Sequence, residues 1–108
     1  MTVNDLVKCD GFSPIALPFP DRKIDGAYIG DLLSWVMGRA ESGNAWITIM
    51  SNINVIAVAT LTDVSCVILA DGVAPDDELI NLACQKGINI LSTMLPMYEA
   101  AITLKDLI

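Results

Sequence analysis

The sequence predicts an α/β fold, a mostly parallel and at most partly mixed sheet of about five strands with helices packed on its faces. Three observations predict it. From residue 45 onward the segments alternate strand, helix, strand, helix, strand, helix, the order that right-handed βαβ crossovers produce. Residues 64–70 form an apolar run of strand length closed by Asp71-Gly72, as expected of a central strand covered on both faces. Finally, 54% of the 108 residues are hydrophobic, enough for one core without disulfide support at this length. A single domain over residues 1–108 is expected, and this richness in Val, Ile and Leu excludes intrinsic disorder.

Each element has a local reason. Residues 2–8 read as a short helix with Thr2 as N-cap and Gly11 beyond its stop. Pro14, Pro18 and Pro20 punctuate the next stretch and leave room only for a brief edge strand over residues 15–17. Residues 21–25 make a polar turn, and 27–29 a short extended piece. Asp31 reads as the N-cap of a helix that places Leu32, Leu33, Val36, Met37 and Ala40 on one face. Residues 41–44 are a loop in which Gly43 suits a positive φ.

Residues 46–50 have the β-branched and aromatic content of a strand. Periodicity leaves residues 53–61 open: β-branching argues strand, while Ser51-Asn52 as a cap and Ala57 and Ala59 argue helix. Pro75, Asp76, Asp77 and Glu78 begin a helix with charge that complements its dipole. Its expected buried face is Leu79, Ile80, Ala83 and Cys84, and Lys86-Gly87 stops it. Residues 88–91 are a buried strand, after which Ser92 or Thr93 opens a last helix, with Pro96 in its first turn, running to about Lys105.

Composition narrows the function. Lys and Arg total 6 against 13 Asp and Glu, a formal net charge of −7, so nucleic-acid phosphate would meet a repulsive field. Only 18% of residues are charged, below the roughly 25% of an average domain, which predicts apolar surface facing a second subunit. Histidine is absent, which removes imidazole-based catalysis and the usual zinc sites. Cys9, Cys66 and Cys84 are odd in number and far apart, with no secretory signal before them, as expected of reduced thiols in cytoplasm. No apolar run is long enough to span a bilayer, so no membrane association is expected.

In an open α/β sheet, ligands bind beyond the carboxyl ends of the strands. Those ends supply Ser51 and Asn52, Asp71 and Gly72, and Ser92 and Thr93 as the candidate ligand-binding residues. Taken singly each has an ordinary role as a cap or a turn. Taken together they cluster at one edge, and two of the pairs precede helix N-termini whose free N–H groups suit a phosphate or carboxylate. Other residues are given structural roles. Asp31 is a cap, Cys66 and Cys84 belong to the core, and Trp35 and Trp46 are core residues with an interface role as the alternative. Asp76-Asp77-Glu78 is a solvated helix start, because adjacent carboxylates on a first turn point apart. No P-loop, dinucleotide fingerprint, nucleophile elbow or metal-ligand set is present, so no cofactor, no metal and no catalytic residue is expected.

The segments Gly26-Ala-Tyr-Ile-Gly-Asp-Leu-Leu-Ser34, Trp46-Ile-Thr-Ile49, Val58-Ala59, Leu61-Thr-Asp63, Ile68-Leu-Ala-Asp-Gly72 and Gly87-Ile-Asn-Ile-Leu-Ser-Thr93 together resemble a DRTGG domain. The resemblance is to small stand-alone members, covers residues 2 to 105 and is strongest over 26–93. It implies an α/β fold similar to the amino-terminal domain of HPr kinase/phosphorylase. It also implies the company such domains keep, beside CBS domains in regulated pyrophosphatases and ahead of phosphate acetyltransferase catalytic domains. It tips residues 53–61 towards helix. Two parts of the family pattern differ here: Leu61-Thr-Asp63 has no neighbouring arginine, and Ala70-Asp-Gly72 replaces a Thr-Gly-Gly-like turn. The expected function is a non-catalytic regulatory or ligand-sensing module, a homodimer, with an adenine nucleotide or phosphorylated metabolite as ligand and an enzyme as possible partner. The alternative is an assembly subunit that binds nothing small.

Overall fold

Period-two alternation sorts the buried strand residues onto two faces of one sheet. The computed structural model describes all of residues 1–108. In β3 (Asn44–Thr48) and β4 (Cys66–Leu69), Trp46, Val67 and Leu69 face one core, and Ala45, Ile47, Cys66 and Ile68 the other. β5 (Ile90–Ser92) continues the rule, with Ile90 in the first core and Leu91 in the second. A strand buried on both faces needs helices on both. The first core is closed by α2 (Leu33–Arg39), α3 (Asn54–Thr62) and α4 (Asp77–Lys86) through Val36, Val55, Ile56, Val58, Ala59, Leu79 and Ala83. The second is closed by α1 (Val3–Val7) and α5 (Met97–Leu107) through Val3, Leu6, Ala100 and Leu104.

With β1 (Ser13–Ala16) and β2 (Gly26–Ile29) the sheet has five strands in the order β1-β5-β4-β3-β2. β2, β3, β4 and β5 run parallel, and β1 is antiparallel to β5. The sheet is thus mostly parallel, as expected, and its antiparallel edge strand β1 makes it mixed. No helix is long and apolar enough to cross a membrane.

Residues 54–61 are helical, within α3, as the resemblance implies, and Ile53 is its N-cap, while other local expectations change. Its buried positions 55, 56, 58, 59 and 62 have helical spacing, but Ile53, Ala57 and Leu61 put apolar residues on the outer face too, which blurs the contrast that periodicity relies on. Asp31 does not cap α2: Leu32 holds that position without a side-chain bond. The Asp31 carboxylate instead accepts from Thr48 Oγ1 at 2.7 Å and from the Ile49 N–H at 3.0 Å. Of the face expected on α2, only Val36 is buried, while Leu32 and Met37 are exposed.

Cys84 is exposed, because the buried positions of α4 are Leu79 and Ala83 and the next residue lies about 100° further round. Cys66 is buried as expected, and desolvation pushes its thiol up to about 12. Trp46 is fully buried, its indole N–H donating to Gly30 O at 2.9 Å, whereas Trp35 is 54% exposed. Neither Ser92 nor Thr93 opens α5. That helix starts after Pro96, which lacks an N–H and disfavours helical backbone in the residue before it.

Candidate functional site

The three candidate pairs stand at the carboxyl ends of β3, β4 and β5, which are neighbours in the sheet and end on the same edge. The turn after β4 is left-handed at two successive residues, Asp71 (φ 59°) and Gly72 (φ 69°). Asp tolerates that region better than most side chains, and Gly does so freely. At Gly72 a Cβ would stand 2.9 Å from Met94 Sδ, so a side chain would force Met94 away. Backbone bonds zip this turn to the loop after β5: Asp71 N–H to Leu95 O at 2.9 Å, Gly72 N–H to Thr93 O at 3.0 Å, and Thr93 N–H to Leu69 O at 2.9 Å. Thr93 Oγ1 accepts from the Leu95 N–H at 3.1 Å and shapes the following turn.

A cavity of about 380 Å³ opens here between the end of β5, the β4–α4 loop and the start of β1. Gly72, Ser92 and Thr93 line it together with Gly11, Ser13, Ile15, Pro75 and Met94. Asp71 sits in the turn behind Gly72 and is not part of the lining. Ser51 and Asn52 are likewise outside it, one strand further along, where Asn52 Oδ1 accepts from the Asn54 N–H at 2.9 Å at the start of α3. Sequence reasoning missed Gly11, Ser13 and Ile15. Ser13 pairs with Ser92 across the antiparallel β1–β5 ladder, which puts the two side chains side by side on one face. No local pattern announces a pairing across almost eighty residues.

The chemistry of the lining is neutral. None of the lining residues is charged. The N–H groups of Asp71, Gly72, Val73 and Thr93 are donated inside the protein, so the turn is not a nest of free donors. The nearby start of α4 carries its own carboxylates: Asp76 caps it by accepting from the Leu79 N–H at 2.9 Å, and Asp77 and Glu78 fill its first turn. A phosphate would meet these charges and find no cation. What the site offers is the hydroxyls of Ser13, Ser92 and Thr93 beside Ile15, Pro75 and Met94, a mixture suited to an uncharged group with polar edges.

No protein-family model and no curated protein matches the chain. A solved structure of similar fold is that of the CBS and DRTGG domains of the regulatory region of the Clostridium perfringens pyrophosphatase, complexed with activator, diadenosine tetraphosphate. The two share 18% sequence identity with a TM-score of 0.64, over 82% of this chain and 39% of that one. The present chain therefore spans well under half of that regulatory region, and at this identity the likeness establishes a related α/β architecture.

Proposed function

We propose that residues 1–108 form one DRTGG-like domain acting as a non-catalytic regulatory or ligand-sensing module, which binds a small metabolite or nucleotide at the carboxyl edge of the sheet. The observation that carries this reading is the cavity itself. It lies between β1 and the loops after β4 and β5, of which the latter two are joined to each other by backbone hydrogen bonds. A ligand seated there touches all three, so its binding free energy adds to the stability of that edge. The lining suits the uncharged part of a ligand, a base or a sugar, with any phosphates directed to solvent. The absence of histidine, of a nucleophile elbow and of a metal-ligand motif from the sequence supports the non-catalytic reading. The pyrophosphatase regulatory region, whose activator is an adenine dinucleotide, makes adenine compounds the first ligands to try. The module acts in the cytoplasm as a homodimer, on a partner enzyme.

The test is thermal melting with adenosine, adenine nucleotides and common phosphorylated metabolites. A ligand at about a hundred times its dissociation constant adds roughly 2.7 kcal/mol, and Ser92→Ala should reduce that gain. If no compound shifts the melting temperature, the sensing reading fails.

A second reading, an assembly subunit without a small ligand, is favoured by one observation. Ile29, Leu32 and Trp35 line a groove beside the open edge of β2, and Ile49 is tied to it through Asp31; all four are exposed. In that reading Trp35 makes the contact, since Trp46 is buried.

A further inference from the structure

We propose a second binding site at the opposite, amino edge of the sheet: a cleft that takes a planar aromatic anion of mononucleotide type, its ring against Phe19 and its phosphate at Lys86. The cleft measures about 300 Å³ and is lined by Phe19, Arg22, Thr60, Asp63, Lys86 and Gly87, among others. It lies beyond the C-terminal ends of α3 and α4, where the chain turns to enter β4 and β5.

The first argument is that an exposed aromatic ring is held in place. Phe19 is 57% exposed, which is costly for an apolar ring with no partner. Its backbone is nevertheless clamped by Asn89, a buried side chain. Asn89 Oδ1 accepts from the Phe19 N–H at 3.0 Å, and Nδ2 donates to Phe19 O at 2.7 Å and to Ser65 O at 2.9 Å. The edge of the ring rests on Gly87, where a Cβ would stand 2.6 Å from Cε2. Gly87 has φ 75°, so both its conformation and its bareness are used. A ring so fixed is a preorganised stacking surface.

The second argument is charge. The chain carries six Lys and Arg against a net charge of −7, yet two of the six line this one cleft. Asp63 is the only acidic lining residue, and it is already neutralised. Arg22 Nη1 donates to its Oδ1 at 2.9 Å, Arg22 Nη2 to its carbonyl at 3.0 Å, and Ser42 Oγ to Oδ2 at 2.6 Å. Lys86 has no ion-pair partner. The formal charges of the lining side chains therefore sum to one positive charge, set against the negative dipole ends of α3 and α4, while the carboxyl-edge lining has none. A phosphate attached to an aromatic plane matches both features at once, and inorganic phosphate matches only the second.

The test is a titration of the isotope-labelled full chain with AMP, adenosine and inorganic phosphate, followed through assigned backbone amides. AMP should shift Thr60, Gly87 and Ile88, bind more tightly than either adenosine or phosphate, and weaken as salt is raised. Lys86→Gln should bring AMP down to the affinity of adenosine, and Phe19→Leu, which keeps an apolar contact on Gly87, should weaken AMP about tenfold. Equal AMP affinity in wild type and Lys86→Gln overturns the proposal. So do shifts confined to Gly72, Thr93 and Leu95, which would support the carboxyl-edge reading alone, and so does an absence of shifts with all three compounds. Loss of the carboxyl-edge shifts with these intact would leave this site standing without that reading.

Discussion

Asp31 shows how much a single residue changes when its long-range partners are known. Next to a helix start, a carboxylate is read as a cap. In the fold it reaches across to β3 and bonds Thr48 Oγ1 and the Ile49 N–H, holding the ends of two neighbouring strands together. Removing it leaves the buried Thr48 hydroxyl and a backbone donor without their partner. Asp31→Ala should therefore cost about 2 kcal/mol, and Asp31→Asn, which keeps an acceptor, clearly less. Urea unfolding followed by circular dichroism measures both; an alanine variant as stable as wild type would refute this role. Trp35 and Trp46 make the same point by contrast. Nothing in the sequence separates them, yet one is fully buried with its indole N–H satisfied and the other is exposed beneath the Arg39 guanidinium, 3.8 Å from its ring centroid.

At the scale of elements, short-range chemistry was readable and long-range chemistry was not. The capping box of α1, in which Thr2 Oγ1 accepts from the Asp5 N–H at 3.1 Å and Asp5 Oδ2 from the Thr2 N–H at 2.9 Å, is a local pattern. So are Asp76 at the start of α4 and Gly87 in the left-handed conformation at its end. The local signal at Ser92 and Thr93 does not start α5, because these residues are claimed by the sheet and by the zipped turn. Asp63 was legible only as one letter of a resemblance. In the fold it ends α3 in a left-handed conformation (φ 58°) and joins the loops that carry Arg22 and Ser42.

The Ser42 hydroxyl first, and the Arg22 guanidinium second, hold the Asp63 carboxyl below its ordinary value of 3.8. A depressed carboxylate stabilises the fold above that ordinary value, and its contribution is lost as pH falls through the depressed one. Because the pair is largely exposed, Asp63→Asn should cost at most about 1 kcal/mol at neutral pH. The difference from wild type should shrink as the solution is taken below pH 3.8. Melting curves across the acid range would detect this, and a pH-independent difference would count against it.

For the whole molecule, the low charge content found a location. Exposed apolar residues gather beside β2 and the start of α2, where Leu32 is 60% and Trp35 54% exposed. A second group, Ile53, Ala57 and Leu61, lies along the outer face of α3. β2 also presents one unpaired backbone edge, since it bonds only to β3. Such a surface suits a partner, and for the proposed homodimer it is the expected contact. Sedimentation at tens of micromolar should give a dimer, and Trp35→Glu should shift it to monomer without changing its circular dichroism. A wild-type chain that sediments as a monomer removes the homodimer from the proposal.

The sequence by itself determined the class of fold, the order of its elements outside residues 53–61, and which strand ends meet at one edge. Composition, capping residues and period-two or helical spacing act over a few residues, so they can be read locally. Only the tertiary structure decided which of those ends share a cavity. It brought Ser13 to Ser92 through an antiparallel edge strand, left Ser51 and Asn52 outside, and used the backbone donors of the β4 turn internally. It also set Phe19 upon Gly87 beside Lys86. These outcomes depend on pairings between distant segments, whose free energy is released only when the sheet closes, and no window of sequence contains them.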